Sequence, residues 1–181
     1  MSNKNLPQWR QDLKSSIIKE GKLNSNRWVQ FATITSKHSP RLRTVVFRGW
    51  KSANSMLIYT DNRSEKIKEI EQNNNIEILW LFSKSKSQFR FKGKAYELSD
   101  TQMYWDNLTP QSRVTWYWPY PGKKVNKEKL NIKENKLVKP NNFSVLEIKV
   151  TSVDLLQLVK PVHKRYKWEI KNNWEKIELN P

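Results

Sequence analysis

The sequence predicts a mainly β fold with short helices, closed as an antiparallel barrel rather than laid out as a βαβ sheet. Two observations lead there. Seven or eight strand-like segments follow one another through short turns. Helical periodicity is confined to three or four short stretches between them. A third observation removes the main competitors. The chain has only four glycines, Gly21, Gly49, Gly93 and Gly122, and none stands in a G-x-G-x-x-G or G-x-x-x-x-G-K pattern. Dinucleotide-binding and P-loop folds are therefore excluded.

Pro7 suits a first helical turn, and Trp9, Leu13 and Ile17 recur every four residues on one helix face. Residues 27–35 alternate as a strand, 36–40 turn, 41–50 form a second strand, and 56–60 a third. Ser64 reads as an N-cap, Ile67 and Ile70 give a short helix its apolar face, and Asn73, Asn74 and Asn75 end it. Residues 76–82 are nearly all apolar, as in a buried strand. Residues 88–98 alternate: Phe89, Phe91, Gly93 and Ala95 face one way, and Gln88, Arg90, Lys92 and Lys94 the other.

Ser99 and Gln102 match a capping box before a helix carrying Met103. Thr109 and Pro110 start another short helix. An aromatic turn punctuated by proline covers 116–122. Residues 123–142 are rich in Lys and Asn with few apolar anchors, and a mobile loop is expected there. Residues 143–150 and 153–159 read as two more strands. A closing hairpin joins 166–170 to 174–179 near Asn172 and Asn173.

At 181 residues the chain is expected to form one domain, 1–181, with roughly 70% of its unfolded surface buried. Nine tryptophans in a chain that is only 36% hydrophobic imply a core of a few large side chains. The net charge of +17 would suit nucleic acid or an anionic membrane surface. The lysines are spread along the whole chain, though, and specific nucleic-acid binding needs them on one face. With no cysteine, disulfides and thiolate metal sites are excluded, and His38 and His163 lie far apart in sequence. The N-terminus carries no apolar leader and no run is long enough to span a membrane, so a cytoplasmic protein is expected.

One constellation carries chemistry. Arginine is the rarer cation, nine against twenty-five lysines, yet Arg43, Arg48 and Arg63 flank Tyr59, Thr60, Ser64 and Lys66. Arginine suits bidentate recognition of phosphate, and backbone N–H groups at a helix start favour an anion. A bound phosphate is expected on these residues.

In order and spacing these residues resemble the pyridoxamine 5'-phosphate oxidase family. There an Arg-x-Val-x-x-Lys/Arg strand precedes a Tyr-Thr strand end and a Ser-x-Lys helix start. This chain has Arg43 to Arg48 with Thr44 and Val45 between, then Tyr59 and Thr60, then Ser64 and Lys66. Gln88 opens the strand that ends in Gly93, Lys94 and Ala95. His163, Lys164 and Arg165, with Trp174 and a terminal Leu-x-Pro, match the C-terminal end. The short, oxidase-related FMN-binding branch seen in cyanobacteria is the most similar.

The resemblance implies an FMN-binding split β-barrel homodimer, with flavin at the subunit interface. Arg43, Ser64 and Lys66 would hold the phosphate, and Tyr59 and Thr60 would line the phosphate and ribityl side. Gln88 and Arg165 would meet the flavin. Arg48 stands where the family usually has Lys. Glu65 replaces a basic residue of the phosphate clamp, with Arg63 positioned to restore the charge. No arginine falls within 104–112, and Pro161 replaces a substrate-binding arginine, so the small-molecule substrate is expected to differ. His163 is the candidate acid–base residue. The readings left open are a flavin-dependent oxidoreductase, a flavin-binding regulatory protein without turnover, and a basic nucleic-acid-binding barrel.

Overall fold

The computed structural model describes residues 6–125 and 137–181. Helix α1 (Trp9–Glu20) leads into strands β1 (Trp28–Ile34), β2 (Pro40–Ser52) and β3 (Ser55–Asp61). Helix α2 (Glu65–Gln72) separates β3 from β4 (Asn75–Phe82) and β5 (Ser87–Glu97). Two one-turn helices follow, α3 (Gln102–Asp106) and α4 (Pro110–Val114). Strands β6 (Phe143–Gln157), β7 (Lys164–Glu169) and β8 (Ile177–Leu179) complete the described chain.

All pairings are antiparallel, in the order β3-β2-β1-β4-β5-β6-β7-β8. An additional β3–β6 pairing closes the first six strands into a barrel. Closure leaves those strands without free edges, which is how all-β folds avoid unwanted pairing. The mainly β expectation therefore holds.

The two strands expected over 143–150 and 153–159 are one. Thr151 is an extra residue between Gly93↔Val150 and Lys92↔Ser152, and its hydroxyl donates to the Lys92 carbonyl at 3.2 Å. A bulge absorbs the break in alternation without ending the strand. At the same point the far edge of β6 changes partner, from β3 to β7. The glycine of Gly93 is explained here, because a Cβ at that position would collide with the Lys149 carbonyl oxygen.

The core fills the barrel. Phe89, Phe91 and Ala95 of β5 point in, as alternation required, and meet Phe31, Ile78, Trp80, Ile148 and Trp168. Helix α1 plugs one side with Trp9 and Leu13. Trp9 packs 5.6 Å from Trp50 and 5.7 Å from Trp174, centroid to centroid. A second cluster lies outside the barrel on β3 and β6, where Leu57, Phe143 and Val145 are covered by Trp105. The anchor of α3 is thus Trp105, while Met103 is exposed. The expected capping box at Ser99 is absent. Thr101 is the N-cap without a side-chain bond, and Asp100 accepts from the Gln102 backbone N–H instead.

The loop expected over 123–142 lies in part, at 126–136, outside the described residues. Its C-terminal flank is bonded to the barrel. Lys139 donates to Thr101 at 3.0 Å, and Asn142 donates to Asp61 at 3.1 Å and to the Trp116 carbonyl at 2.8 Å.

Candidate functional site

Helix α2 starts beside the ends of β2 and β3, and a cleft of about 510 Å³ opens there. Arg43, Arg63, Ser64, Lys66 and Lys68 line it, together with the turn from Tyr120 to Lys123. Four residues expected to serve one phosphate therefore share one cavity.

Lys66 is the least usual of them. Its ammonium donates to the Thr60 hydroxyl at 2.8 Å and to the Ser64 hydroxyl at 2.6 Å, and it forms no ion pair among the described residues. Burial lowers the Lys66 pKa below the ordinary lysine value, and the neighbouring charge of Arg43 lowers it further. Ser64 stands at the N-cap of α2, but its hydroxyl donates to the Asp61 carbonyl at 2.6 Å and makes no side-chain cap. The first-turn N–H groups of α2 are left without that partner. Serine here serves the lysine rather than the helix.

Arg43 reaches in from the inner face of β2. Its guanidinium donates to the Thr33 hydroxyl and, at 2.9 Å, to Glu69 of α2. Glu69 also accepts from Thr33 and, at 3.2 Å, from Arg41. Burial would raise the Glu69 carboxyl, but bonds from Thr33 and Arg41 and the Arg43 charge outweigh it and hold it below the usual range. Glu65 also lines the cleft and pairs with Arg41. Arg63 is locked by Asp61, with Nε–Oδ1 at 3.0 Å and Nη2–Oδ2 at 2.6 Å. It also donates to the Trp118 carbonyl at 3.1 Å and lies 5.3 Å from the Tyr120 ring centre.

The remaining expected residues lie elsewhere. Thr44 and Val45 follow Arg43 on β2, with Val45 packed against the core. Arg48 is the extra residue of a β2 irregularity, between Phe47↔Ile58 and Gly49↔Leu57, and sits 5.4 Å from the Tyr59 ring centre. Tyr59 packs outside the barrel against Tyr104 and Phe143. Gln88 and Arg165 stand on the outer face of the sheet, in one row across β5, β6 and β7 through Leu156. Arg165 shares the Asp154 carboxylate with Arg90, at 2.9 and 3.0 Å. The described chain thus splits the expected site between an inner-rim cleft and an outer sheet face. His163 is exposed in the β6–β7 connection, with Nδ1 3.1 Å from the Val159 carbonyl.

Sequence reasoning missed Glu69, Thr33, Asp61 and the wall from Tyr120 to Lys123. The closeness of Asp61 to Arg63 in the chain was a usable signal. No group of His, Asp or Glu able to hold a metal occurs among the described residues. No described helix is long and apolar enough to cross a membrane.

A closed six-stranded antiparallel barrel with an anion-suited cleft at a helix start defines a class of small-ligand-binding barrels. Within it, the family profile described as pyridoxamine 5'-phosphate oxidase, FMN-binding domain, matches residues 6–99, and the chain belongs to that family. It is 33% identical to pyridoxine/pyridoxamine 5'-phosphate oxidase 2 of Arabidopsis thaliana, over 66% of each protein. The chain thus spans about two thirds of that relative's length. The crystal structure of a pyridoxamine 5'-phosphate oxidase-related, FMN binding protein from Nostoc punctiforme is similar over 100% of both chains, at 30% identity and a TM-score of 0.87. PhzG from Burkholderia lata shares the fold, with a TM-score of 0.81 at 16% identity over 96% of this chain and 90% of that one.

Proposed function

We propose that the chain is a single FMN-binding domain that acts as a cytoplasmic, flavin-dependent oxidoreductase and completes its site as a homodimer. One observation carries the reading: Lys66 is a half-buried cation that, among the described residues, is held by hydroxyls and forms no ion pair, at a helix start, in a cleft shared with Arg43 and Arg63. Burying an unpaired ammonium is costly, and a phosphate dianion would remove that cost. The donor set fits a monoester phosphate. Lys66 supplies charge, Arg43 and Arg63 supply planar donors, and the α2 start supplies backbone N–H groups.

In this reading Arg43, Ser64, Lys66 and Arg63 hold the phosphate, Thr60 orients Lys66, and Thr44, Val45, Arg48 and Tyr59 line the approach. Bound FMN would supply the electron-accepting ring, and the protein supplies position and electrostatics. Gln88 and Arg165 come from the outer face of a second copy. That face supports a twofold contact, because exposed Trp28 (53%) and Leu81 (58%) flank the row holding Gln88 and Arg165.

The substrate differs from pyridoxine 5'-phosphate. Arg113, the arginine nearest to 104–112, donates to the Trp105 and Asp106 carbonyls at 3.3 and 2.9 Å. Leu108 packs in the apolar cluster, and position 161 is proline.

The deciding experiment is the absorbance spectrum of purified protein, with the released chromophore identified by mass. A flavin spectrum with FMN mass is expected, and a colourless protein that takes up neither FMN nor riboflavin would refute the proposal. Arg43→Ala removes a charge-assisted donor worth about 1.5–3 kcal/mol. FMN affinity should then fall at least about tenfold, with a smaller loss for riboflavin.

A further inference from the structure

Helix α2 presents Lys66 and Glu69 three residues apart, hence on one face. The first lines the cleft and forms no ion pair among the described residues. The second, with its side chain 7% exposed, takes the Arg43 guanidinium from β2. Arg43 and Lys66 are like charges close enough for Arg43 to disfavour the charged lysine. Left alone, they would separate, because the cleft is open and a long arginine side chain has many rotamers. Glu69 prevents this, and Thr33 secures the arrangement by donating to Glu69 while accepting from Arg43. Arg41 provides a second ion pair for the same carboxylate, so Glu69 is not left unpaired when Arg43 engages a ligand.

We infer that Glu69 is a positioning residue of the anion cleft: acting through Arg43, it holds the guanidinium beside Lys66 so that both cations meet one ligand phosphate. The inference rests on the phosphate reading above. It assigns to a carboxylate, which repels phosphate, a net favourable role in binding phosphate. Preorganisation explains the sign, since an immobilised side chain does not have to be ordered when the ligand arrives.

The test is a double-mutant cycle read as the ratio of riboflavin to FMN dissociation constants, by flavin fluorescence titration of the full chain. Glu69→Ala should lower that ratio about tenfold with Arg43 present, and leave it unchanged in the Arg43→Ala background. Glu69→Gln keeps one acceptor oxygen and should restore part of the ratio. A role confined to stability would weaken both flavins alike and would persist without Arg43. A ratio that is unchanged or raised in Glu69→Ala overturns the inference while the phosphate reading stands. A wild-type chain with no preference for FMN overturns the phosphate reading, and the role of Glu69 with it.

Discussion

Two places in this molecule set one carboxylate between two arginines, and they are built for different ends. On the inner rim, Glu69 holds Arg41 and Arg43. On the outer sheet face, Asp154 holds Arg90 and Arg165. At Asp154, burial would raise the carboxyl, and bonds from Arg165 and Arg90 hold it low instead. The ion chemistry is the same, but the neighbours differ. Beside Glu69 stands Lys66, half-buried and, among the described residues, bonded to hydroxyls without an ion pair, over an open cleft. Across one strand from Asp154 lie Leu79 and, one row along, Leu81; a cleft on this face is lined by Ala32, Glu77, Lys92 and Lys94, and neither Asp154 nor its two arginines line it. An arginine–carboxylate group next to a lysine that forms no ion pair among the described residues suits a small anion. The same group on the outer sheet face, a row from exposed Leu81, suits burial against a large surface.

Lys66→Met should break the comparison most strongly. The cation that would meet the phosphate is lost, so FMN affinity should fall about a hundredfold, with riboflavin changed only a few-fold. The ligand-free protein should gain stability, about 1–2 kcal/mol near neutral pH, because a buried charge is replaced by an apolar chain of similar length. The sign with pH follows from linkage. Burial lowers the Lys66 pKa in the folded state, so between that value and the unfolded value the unfolded chain binds more protons. The penalty is present in full below the folded pKa and fades as pH rises toward the unfolded one. The gain from Lys66→Met should shrink over that interval. Thermal unfolding at several pH values checks this, and a variant less stable than wild type at neutral pH would contradict it.

Asp154→Ala should have the next largest effect, and on a different property. It strands Arg90 and Arg165. Removing one partner of a buried ion group costs about 3–5 kcal/mol, whereas an exposed group costs under about 1 kcal/mol. If the outer face is buried between two copies, light scattering should show dimer dissociation at tenfold or higher protein concentration than for wild type. The preference for FMN over riboflavin should not move, because Asp154 touches nothing in the cleft. A variant that stays dimeric at nanomolar concentration would remove the outer face from the assembly.

The contrast also shows what was legible in the chain. Residues 88–98 alternate cleanly, and their inward and outward sets match the structure. The grouping of Arg43, Arg63, Ser64 and Lys66 in one cleft was readable from residue type and order. Glu69 was not, because a glutamate in a helix rich in Lys and Glu reads as a solvated face. Only the β2 register, which turns Arg43 inward opposite Phe31, makes that glutamate a partner. The bulge at Thr151 was hidden because one extra residue looks like a strand end. Trp105 outweighed Met103 as the α3 anchor because the outer faces of β3 and β6 needed a broad cover. No periodicity in the helix itself reveals that.

Arg63→Lys should have the smallest effect, and it sharpens the comparison within the cleft. Arg63 is both a cleft cation and a tie. It grips Asp61 through two nitrogens and donates to the Trp118 carbonyl. Burial would raise the Asp61 carboxyl, and its bonds with Arg63 and Asn142 keep it low, so the aspartate stays ionised at neutral pH. Lysine keeps the charge but not the planar fork, and it cannot serve the carboxylate and the carbonyl together. The Trp118 carbonyl is on the surface, so water replaces the lost donor there at little cost. Asp61 keeps the Asn142 contact and the Arg63 backbone N–H at 2.8 Å. The expected outcome is a loss of about 0.5–1 kcal/mol in stability, typical of a partly exposed pair. FMN affinity should drop about threefold, because the charge remains while its position loosens. A drop as large as that of Lys66→Met would mean that Arg63, not Lys66, is the principal cation of the site. The comparison of a compensated and an uncompensated cluster would then have to be redrawn around Asp61.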